Sequence, residues 1–257
     1  MEQKRTAIIT GASSGIGEAA AIRFAQGGWN LILTARRMEK LESLKAKIDQ
    51  KYQQKTWLFK QDVRHPDSGE KLAAWLHESQ IKPDLLINNA GLAVGVSPIH
   101  QGVADDWERM IDTNIKGLLY VSRAISEIMT DQGFGHIINI GSIAGKEAYP
   151  GGNVYCATKH AIDGLTKAMR IDLLPYGIRV SQVAPGAVET AFSLVRYKGN
   201  QSQAKKVYDG FVPLNAADVA DALWFVANVP AHVNINDLVI MPTAQASAGH
   251  IKRETTT

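Results

Sequence analysis

Short apolar runs rich in β-branched residues alternate along this chain with longer amphipathic stretches, and the two periods sort it into strands and helices. Thr6 to Thr10 (TAIIT) reads as a strand buried on both faces. A glycine turn follows, then the alanine-rich helix EAAAIRFAQGG, ended by Gly27-Gly28. Trp29 to Ala35 is the second strand, Met38 to Gln54 a charged amphipathic helix, and Thr56 to Lys60 the third strand. His65 to Gln80 is a helix with Trp75 and Leu76 on its apolar side, and Asp84 to Ile87 is the fourth strand. The pattern is helical again from Ala104 to about Asp131, through Trp107, Met110, Ile111, Leu118 and Val121. His136 to Ile140 is the fifth strand. From Asn153 the apolar spacing is helical, with no proline until Pro175. Ile178 to Ala184 is the sixth strand, Asp218 to Ala227 the last helix and Asp237 to Met241 the last strand.

Strands that alternate with helices imply an α/β fold, one doubly wound parallel sheet with helices on both faces. Nothing in the sequence reads as a linker, a low-complexity block or an internal repeat, so one domain over 1–257 is expected. Its ligand crevice belongs outside the C-terminal ends of the strands. Ser13, Arg36, Asp62, Asn89, Ser142 and Pro185 all follow strand ends and so fall on one rim. The roughly 28 residues from Pro185-Gly186 to Asn215 show no strong periodicity, and a loop of that length in a compact domain is usually functional, often a lid. The tail from Lys252 to Thr257 reads as frayed.

Composition narrows the function classes. The net charge is only +3, from 28 basic and 25 acidic residues, which gives no strong pull toward nucleic acid or a membrane surface. Cys156 is the only cysteine, so neither an intrachain disulfide nor a cysteine zinc cluster is expected, and the seven histidines show no metal-ligand spacing. The start, MEQKRTAIITG, enters a glycine-rich turn too soon for a signal peptide, and no apolar stretch of about 20 residues suits a membrane span.

Candidate chemistry gathers at the strand ends. Gly11-Ala12-Ser13-Ser14-Gly15-Ile16-Gly17 stands between a strand and a helix, as in half of a dinucleotide fold. There the backbone approaches a pyrophosphate and the helix N-terminus attracts its charge. The spacing is G-x-x-x-G-x-G, not the common G-x-G-x-x-G. About 20 residues on, an acidic residue would bind a ribose 2′-hydroxyl, but Ala35 and then Arg36-Arg37 stand there. Two guanidinium forks suit a 2′-phosphate and so point to NADP, although two solvated helix-start arginines fit the same residues. Asp62 is placed to accept from an adenine amine or to serve as a turn residue. Asn88-Asn89-Ala90-Gly91 reads as a turn or as the floor of a cofactor site. Asn114 interrupts a helical pattern, where an asparagine is usually solvated or caps a break. Ser142 closes the run HIINIGS, and Tyr155 and Lys159 lie four apart on one helical face. A cation beside the phenol favours the phenolate and makes a usable acid/base. Alone, Tyr-x-x-x-Lys equally describes a half-buried tyrosine and a solvated lysine.

Taken in order, TGASSGIG at 10–17, NNAG at 88–91, Asn114, Ser142, YCATK at 155–159 and PG at 185–186 resemble the short-chain dehydrogenase/reductase family over almost the whole chain. The resemblance implies a Rossmann fold with strand order 3-2-1-4-5-6-7, a cofactor half of roughly 1–141 and a catalytic and substrate half with a lid over 142–257. It implies a catalytic set of Asn114, Ser142, Tyr155 and Lys159. It implies a cofactor site of Gly11, Ser13, Ser14, Gly15, Ile16, Gly17, Arg36, Arg37, Asp62, Val63, Asn89, Ala90, Gly91, Tyr155, Lys159, Pro185, Gly186, Val188 and Thr190. GHIINIGSIAG, FSLVRYKGN, QAKKVY and PAHVNINDLVIMPTAQAS are similar to the branch of NADP-dependent 3-hydroxy acid dehydrogenases. That branch implies serine, allo-threonine, 3-hydroxyisobutyrate or 3-hydroxypropionate as substrate, with Ser142 and Tyr155 at the reacting oxygen. It also implies a cytoplasmic homotetramer built on the helices that hold Asn114 and Tyr155. A 3-hydroxy acid carries a carboxylate, and Arg196 in the lid is the candidate partner, although a solvated lid charge suits it as well. A broad carbonyl reductase or a 3-oxoacyl-thioester reductase is the rival reading, and a non-catalytic NADP-sensing scaffold a remote one.

Overall fold

The computed structural model describes residues 4–254. Five parallel strands form first: β1 (Thr6–Thr10), β2 (Asn30–Ala35), β3 (Thr56–Lys60), β4 (Leu85–Asn88) and β5 (Gly135–Ile140). β6 (Ile178–Pro185) follows, and a two-stranded ribbon of β7 (Val188–Glu189) and β8 (Leu214–Asn215) stands apart from the sheet. β9 (Asp237–Ile240) completes a seven-stranded sheet of order β3-β2-β1-β4-β5-β6-β9. This is the expected order, with β9 in the seventh place, and every pairing in the sheet is parallel. β1 is buried at every residue, as a strand covered on both faces must be.

Helices α1 (Gly15–Gln26), α2 (Met38–Lys51) and α9 (Ala216–Ala227) cover one face. Phe24, Leu41, Ile48, Val219 and Leu223 pack there against Ile9, Leu31 and Leu33. Helices α3 (Ser68–Glu78), α5 (Gly117–Gln132) and α6 (Asn153–Leu173) belong to the other face, where Leu72, Val121 and Ile125 bury Ile8 and Ile137. The alternation of β1 explains the split, since Ile8 and Ile9 point to opposite sides.

Several boundaries differ from the sequence reading for local reasons. α1 starts at Gly15, so Gly15 and Gly17 belong to its first turn. α2 stops at Lys51, because Tyr52 turns extended (φ −134°, ψ 148°) and packs on the core. α3 begins at Ser68, not His65: Pro66 disfavours a helical His65, and residues 62–65 close a turn through His65 N–H to the Asp62 carbonyl (3.2 Å). The helix expected over 104–131 is two, α4 (Ala104–Ile111) and α5, joined by a π-helical segment, Asp112–Lys116. α9 begins earlier than its apolar pattern, where Asn215 and Asp218 form a reciprocal capping box. The lid region contains two short helices, α7 (Phe192–Arg196) and α8 (Gln201–Lys206).

The described part of the tail is not frayed. Lys252 N–H donates to the Ala244 carbonyl and Glu254 N–H to the Gly210 carbonyl at 2.7 Å. Arg253 donates to the carbonyls of Asp209 and Val207 and covers the Phe211 ring. Thr255 to Thr257 lie outside the described residues.

Candidate active site

The C-terminal ends of the strands open into one cavity of about 570 Å³. Ser13, Arg36, Asp62, Asn89, Ser142 and Pro185, which the sequence places on one rim, all line it. Of the candidate residues, only Gly17 and Asn114 do not reach its wall.

At one end the backbone is shaped for a close-lying anion. Gly11 has φ +66°, and a Cβ there would lie 2.9 Å from Ala90 Cα. A Cβ on Gly17 would fall 2.5 Å from Asn89 Nδ2, so this glycine serves helix–strand packing and not the cavity wall. Asn89 Nδ2 donates to the carbonyls of Thr10 (2.9 Å) and Gly11 (3.2 Å), tying β4's end to the turn. Ser14 is the N-cap of α1 but makes no side-chain cap bond, so the first-turn N–H groups have no cap acceptor. Its hydroxyl accepts from Arg37 Nη2 instead (3.2 Å), as does Ser13 Oγ (3.0 Å). Arg37 is thereby held across the mouth of the glycine turn, and Arg36 lines the same end. Glycines, open N–H groups and two guanidinium groups fit a phosphorylated dinucleotide.

Asp62 lies where expected, but its carboxylate is engaged. Arg64 Nε and Nη2 grip it at 2.9 and 2.6 Å, and Arg64's bonds hold it below the usual carboxylate range. The Arg64 partner went unnoticed because it is only two residues away in a turn, where no periodicity signals it.

At the other end stand the reacting groups. Ser142 Oγ accepts from Ala144 N–H (3.1 Å), and its oxygen lies 3.5 Å from the Pro185 carbonyl. Lys159 is buried, and its ammonium donates to the Ile140 carbonyl (2.9 Å) with Nζ 5.9 Å from the centre of the Tyr155 ring. Burial pushes the Lys159 pKa down to about 8. Burial raises the Tyr155 phenol above its ordinary range, against the pull of the Ser142 hydroxyl and the Arg196 guanidinium. Lys159, expected to lower the phenol, and Arg196 of the lid stand at similar distances from the Tyr155 ring centre, 5.9 and 5.7 Å. Asn114, far from solvated, is 1% exposed. Its Oδ1 accepts from Leu92 N–H (2.9 Å), and its Nδ2 donates to the Leu92 carbonyl (2.8 Å) and Thr158 Oγ1 (3.0 Å).

The lid closes the cavity. The Arg196 guanidinium lies near two rings, 5.2 Å from the centre of Tyr149 and 5.7 Å from that of Tyr155, and its buried Nε has no hydrogen-bond partner. Burial likewise pushes the Tyr149 phenol well above its ordinary range. Phe192, which packs on the Tyr155 ring, and Tyr208, with Gln245, Ala248 and Ile251, line the cavity too. Sequence reasoning missed them, since they lie in segments without helical or strand period. Among the described residues, no group of three or more histidine, cysteine or acidic side chains converges as a metal site.

The short chain dehydrogenase family matches residues 5–200. The NADP-dependent 3-hydroxy acid dehydrogenase YdfG of Escherichia coli K12 is 44% identical over 243 residues, 94% of this chain and 96% of its own length. Sulfoacetaldehyde reductase 2 of Chromohalobacter salexigens is 44% identical over 240 residues, 93% of this chain and 94% of its own. Among solved structures, the closed form of serine dehydrogenase complexed with NADP+ superposes with a TM-score of 0.90 at 43% identity, covering 97% of this chain and all of that one. Fold order, strand-end cavity and sequence match agree: this chain belongs to the short chain dehydrogenase family, whose members are oxidoreductases.

Proposed function

We propose that this chain is an NADP-dependent dehydrogenase acting at C3 of small 3-hydroxy acids such as serine, allo-threonine, 3-hydroxyisobutyrate or 3-hydroxypropionate. The observation that carries the reading is Arg196, a half-buried arginine whose buried Nε has no partner, near the Tyr155 ring in the cavity wall. It offers an anion a charge-assisted bond next to the phenol that would receive a hydroxyl proton. The relatives' names support the reading, since the similar proteins act on 3-hydroxy acids or on an aldehyde that carries a sulfonate.

Gly11, Ser13, Ser14, Gly15 and Ile16 would hold the pyrophosphate of NADP, with Arg36 and Arg37 on its 2′-phosphate and Asp62 and Val63 beside the adenine. Asn89, Ala90 and Gly91 would floor the site, and Pro185, Gly186, Val188 and Thr190 would close it. Bound there, the cofactor accepts or supplies the hydride. Ser142 holds the oxygen that becomes a carbonyl, and Tyr155, as phenolate, takes its proton. Lys159 would hold the ribose hydroxyls. Asn114 locks the π-helical segment against Leu92, the geometry from which a proton path through Lys159 would start. Arg196 holds the carboxylate.

The reading extends to a homotetramer. Leu119 on α5 and Ile171 on α6 are 39% and 73% exposed, which leaves apolar surface on the two helices concerned. Light scattering behind size-exclusion chromatography that returns a monomer overturns that part.

The test of activity is NADPH formation by the purified protein with L-serine, D-serine, L-allo-threonine, 3-hydroxyisobutyrate and 3-hydroxypropionate, each with NADP+ and NAD+. Sulfoacetaldehyde with NADPH belongs in the panel, because a sulfonate presents Arg196 with the same charge. Turnover of several acids with NADP+ is expected. Silence there, with reduction of neutral ketones or acyl thioesters, replaces the 3-hydroxy acid reading.

A further inference from the structure

We propose that Asp106 of α4 is a positioning residue for the substrate: through its ion pair with Lys198 it seats α7 and so fixes Arg196 in the cavity wall. The proposal rests on, and deepens, the reading of Arg196 as the group that holds the anion.

Asp105 and Asp106 stand in the first turn of α4, where a carboxylate ordinarily serves the helix from solvent. Asp105 does so, with its side chain 77% exposed. Asp106 is turned inward, its side chain 7% exposed, and it does not cap the helix, whose N-cap is Val103. A carboxylate taken out of water needs a partner. Among the described residues, the one ion pair that Asp106 makes is with Lys198 of the lid, Oδ2 to Nζ 2.7 Å. Arg109, the other cation on α4, pairs loosely with Asp105 at 3.9 Å. The loop after β4 closes the other side of the carboxylate. Gly95 has φ +76°, and a Cβ there would lie 2.7 Å from Asp106 Oδ2.

Lys198 meets this carboxylate from a strained backbone. It follows α7 with φ +52°, in the left-handed region where glycine or asparagine usually ends a helix, and Gly199 N–H closes that end onto the Leu194 carbonyl (2.8 Å). The pair with Asp106 is the contact that offsets the strain. Apolar packing does little to hold the seam. A groove of about 500 Å³ runs between α4 and α7, and Val103, Leu194 and Val195 along it remain exposed. With only five residues, α7 is seated at its C-terminal end: Gly95 N–H donates to the Arg196 carbonyl (2.9 Å), and two residues on Lys198 reaches Asp106. With the pair in place, Arg196 is held at the cavity before substrate arrives. Without it, binding must also order α7, and affinity for the anion falls.

The experiment measures KM and kcat for 3-hydroxypropionate, the Kd for NADP+, and hydrogen–deuterium exchange in the peptides that hold Gly95 and residues 195–199. It compares the wild type with Asp106→Asn, Lys198→Met, the two combined, Lys198→Arg and Lys198→Gly. Asp106→Asn and Lys198→Met are each expected to raise KM about tenfold, with kcat within about twofold, NADP+ binding unchanged and faster exchange in both segments. The combination loses no more than either alone, because each removes the same pair. Lys198→Arg keeps the charge and stays near wild type. Lys198→Gly suits the left-handed backbone but lacks the cation, so its KM rises like that of Lys198→Met. A wild-type KM in Lys198→Gly overturns the proposal, since the backbone turn alone would then seat the lid. An unmoved KM and exchange in Lys198→Met overturn it too, as do losses that add in the combination. Lys198 is half exposed, so its variants test the pair even if Asp106→Asn fails to fold. Should the wild type turn over no 3-hydroxy acid, the functional reading fails, and the exchange measurements still decide whether the pair seats α7.

Discussion

Tyr155 and the arginines of the adenosine end carry the sharpest consequences of single side chains. Tyr155→Phe keeps the ring that packs against Phe192 but removes the proton acceptor. Turnover should fall by about 10²–10⁴-fold, while fluorescence titration with NADPH shows binding retained. Unchanged turnover would remove Tyr155 from the chemistry. Arg37→Ala deletes the guanidinium held by Ser13 and Ser14, at an expected cost of about tenfold or more in the KM for NADP+ and little for NAD+. Equal losses with both cofactors would show that Arg37 shapes the turn and does not read the 2′-phosphate. Spacing made both residues candidates, since four residues on a helix and twenty after a glycine turn are distances that the fold fixes, and only the ordered set of motifs told them from a bland tyrosine and a solvated arginine. Arg64 and Tyr149 were not legible. Arg64 acts through a turn, and Tyr149 through a ring stacked by a residue 47 positions later, and neither leaves a period in the sequence.

At the scale of elements, the seven strands of the sheet were legible to within a residue or so, since runs such as β1 that are buried on both faces cannot be polar, whereas the two-residue β7 and β8 left no signal. The helices were less so where a side chain competes with the backbone. Asn114 is the clearest instance: its amide satisfies both polar groups of Leu92, and the helix opens into a π segment around it. Asn114→Leu strands both polar groups of Leu92 in a buried site, while Thr158 Oγ1 keeps its bond to the Tyr155 carbonyl, so thermal denaturation should show a loss of about 3 kcal/mol. A stability within a few tenths of wild type would mean that the segment repacks without it. β5 carries a second test. His136 is 3% exposed, with Nε2 2.8 Å from Ser181 Oγ and no partner for Nδ1, and burial, helped by Arg179, pushes its pKa down to about 3 from 6.5. Below pH 6.5 the unfolded chain takes up a proton that the native state refuses until about pH 3, so stability falls with pH across that window. The loss between pH 7 and pH 5 should be about 2 kcal/mol, read from urea melts, and His136→Phe should flatten that slope. An equally steep slope in the variant would assign the acid sensitivity elsewhere.

At the scale of the whole molecule, alternation of strand and helix was enough to place one rim of residues around one cavity, because parallel strands must all end on the same side. What stayed hidden was the roof. Residues 186–215 and 242–254 follow no period, and their contacts join segments far apart in the chain. Arg253, held on the carbonyls of Asp209 and Val207, braces the lid from the tail. Arg253→Ala should raise the substrate KM a few-fold and leave NADP+ binding unchanged, and an unaltered KM would show that the lid closes without the tail. The other terminus lies elsewhere: Arg5 stacks on Trp29 (4.2 Å) and reaches Asn228 at the N-terminal edge of the sheet, away from the cavity mouth. For anyone who handles the protein, the two ends are therefore not equivalent. A change that disturbs Arg5 stays at the edge of the sheet, whereas one that disturbs Arg253 or Glu254 reaches the lid and should be felt in the rates.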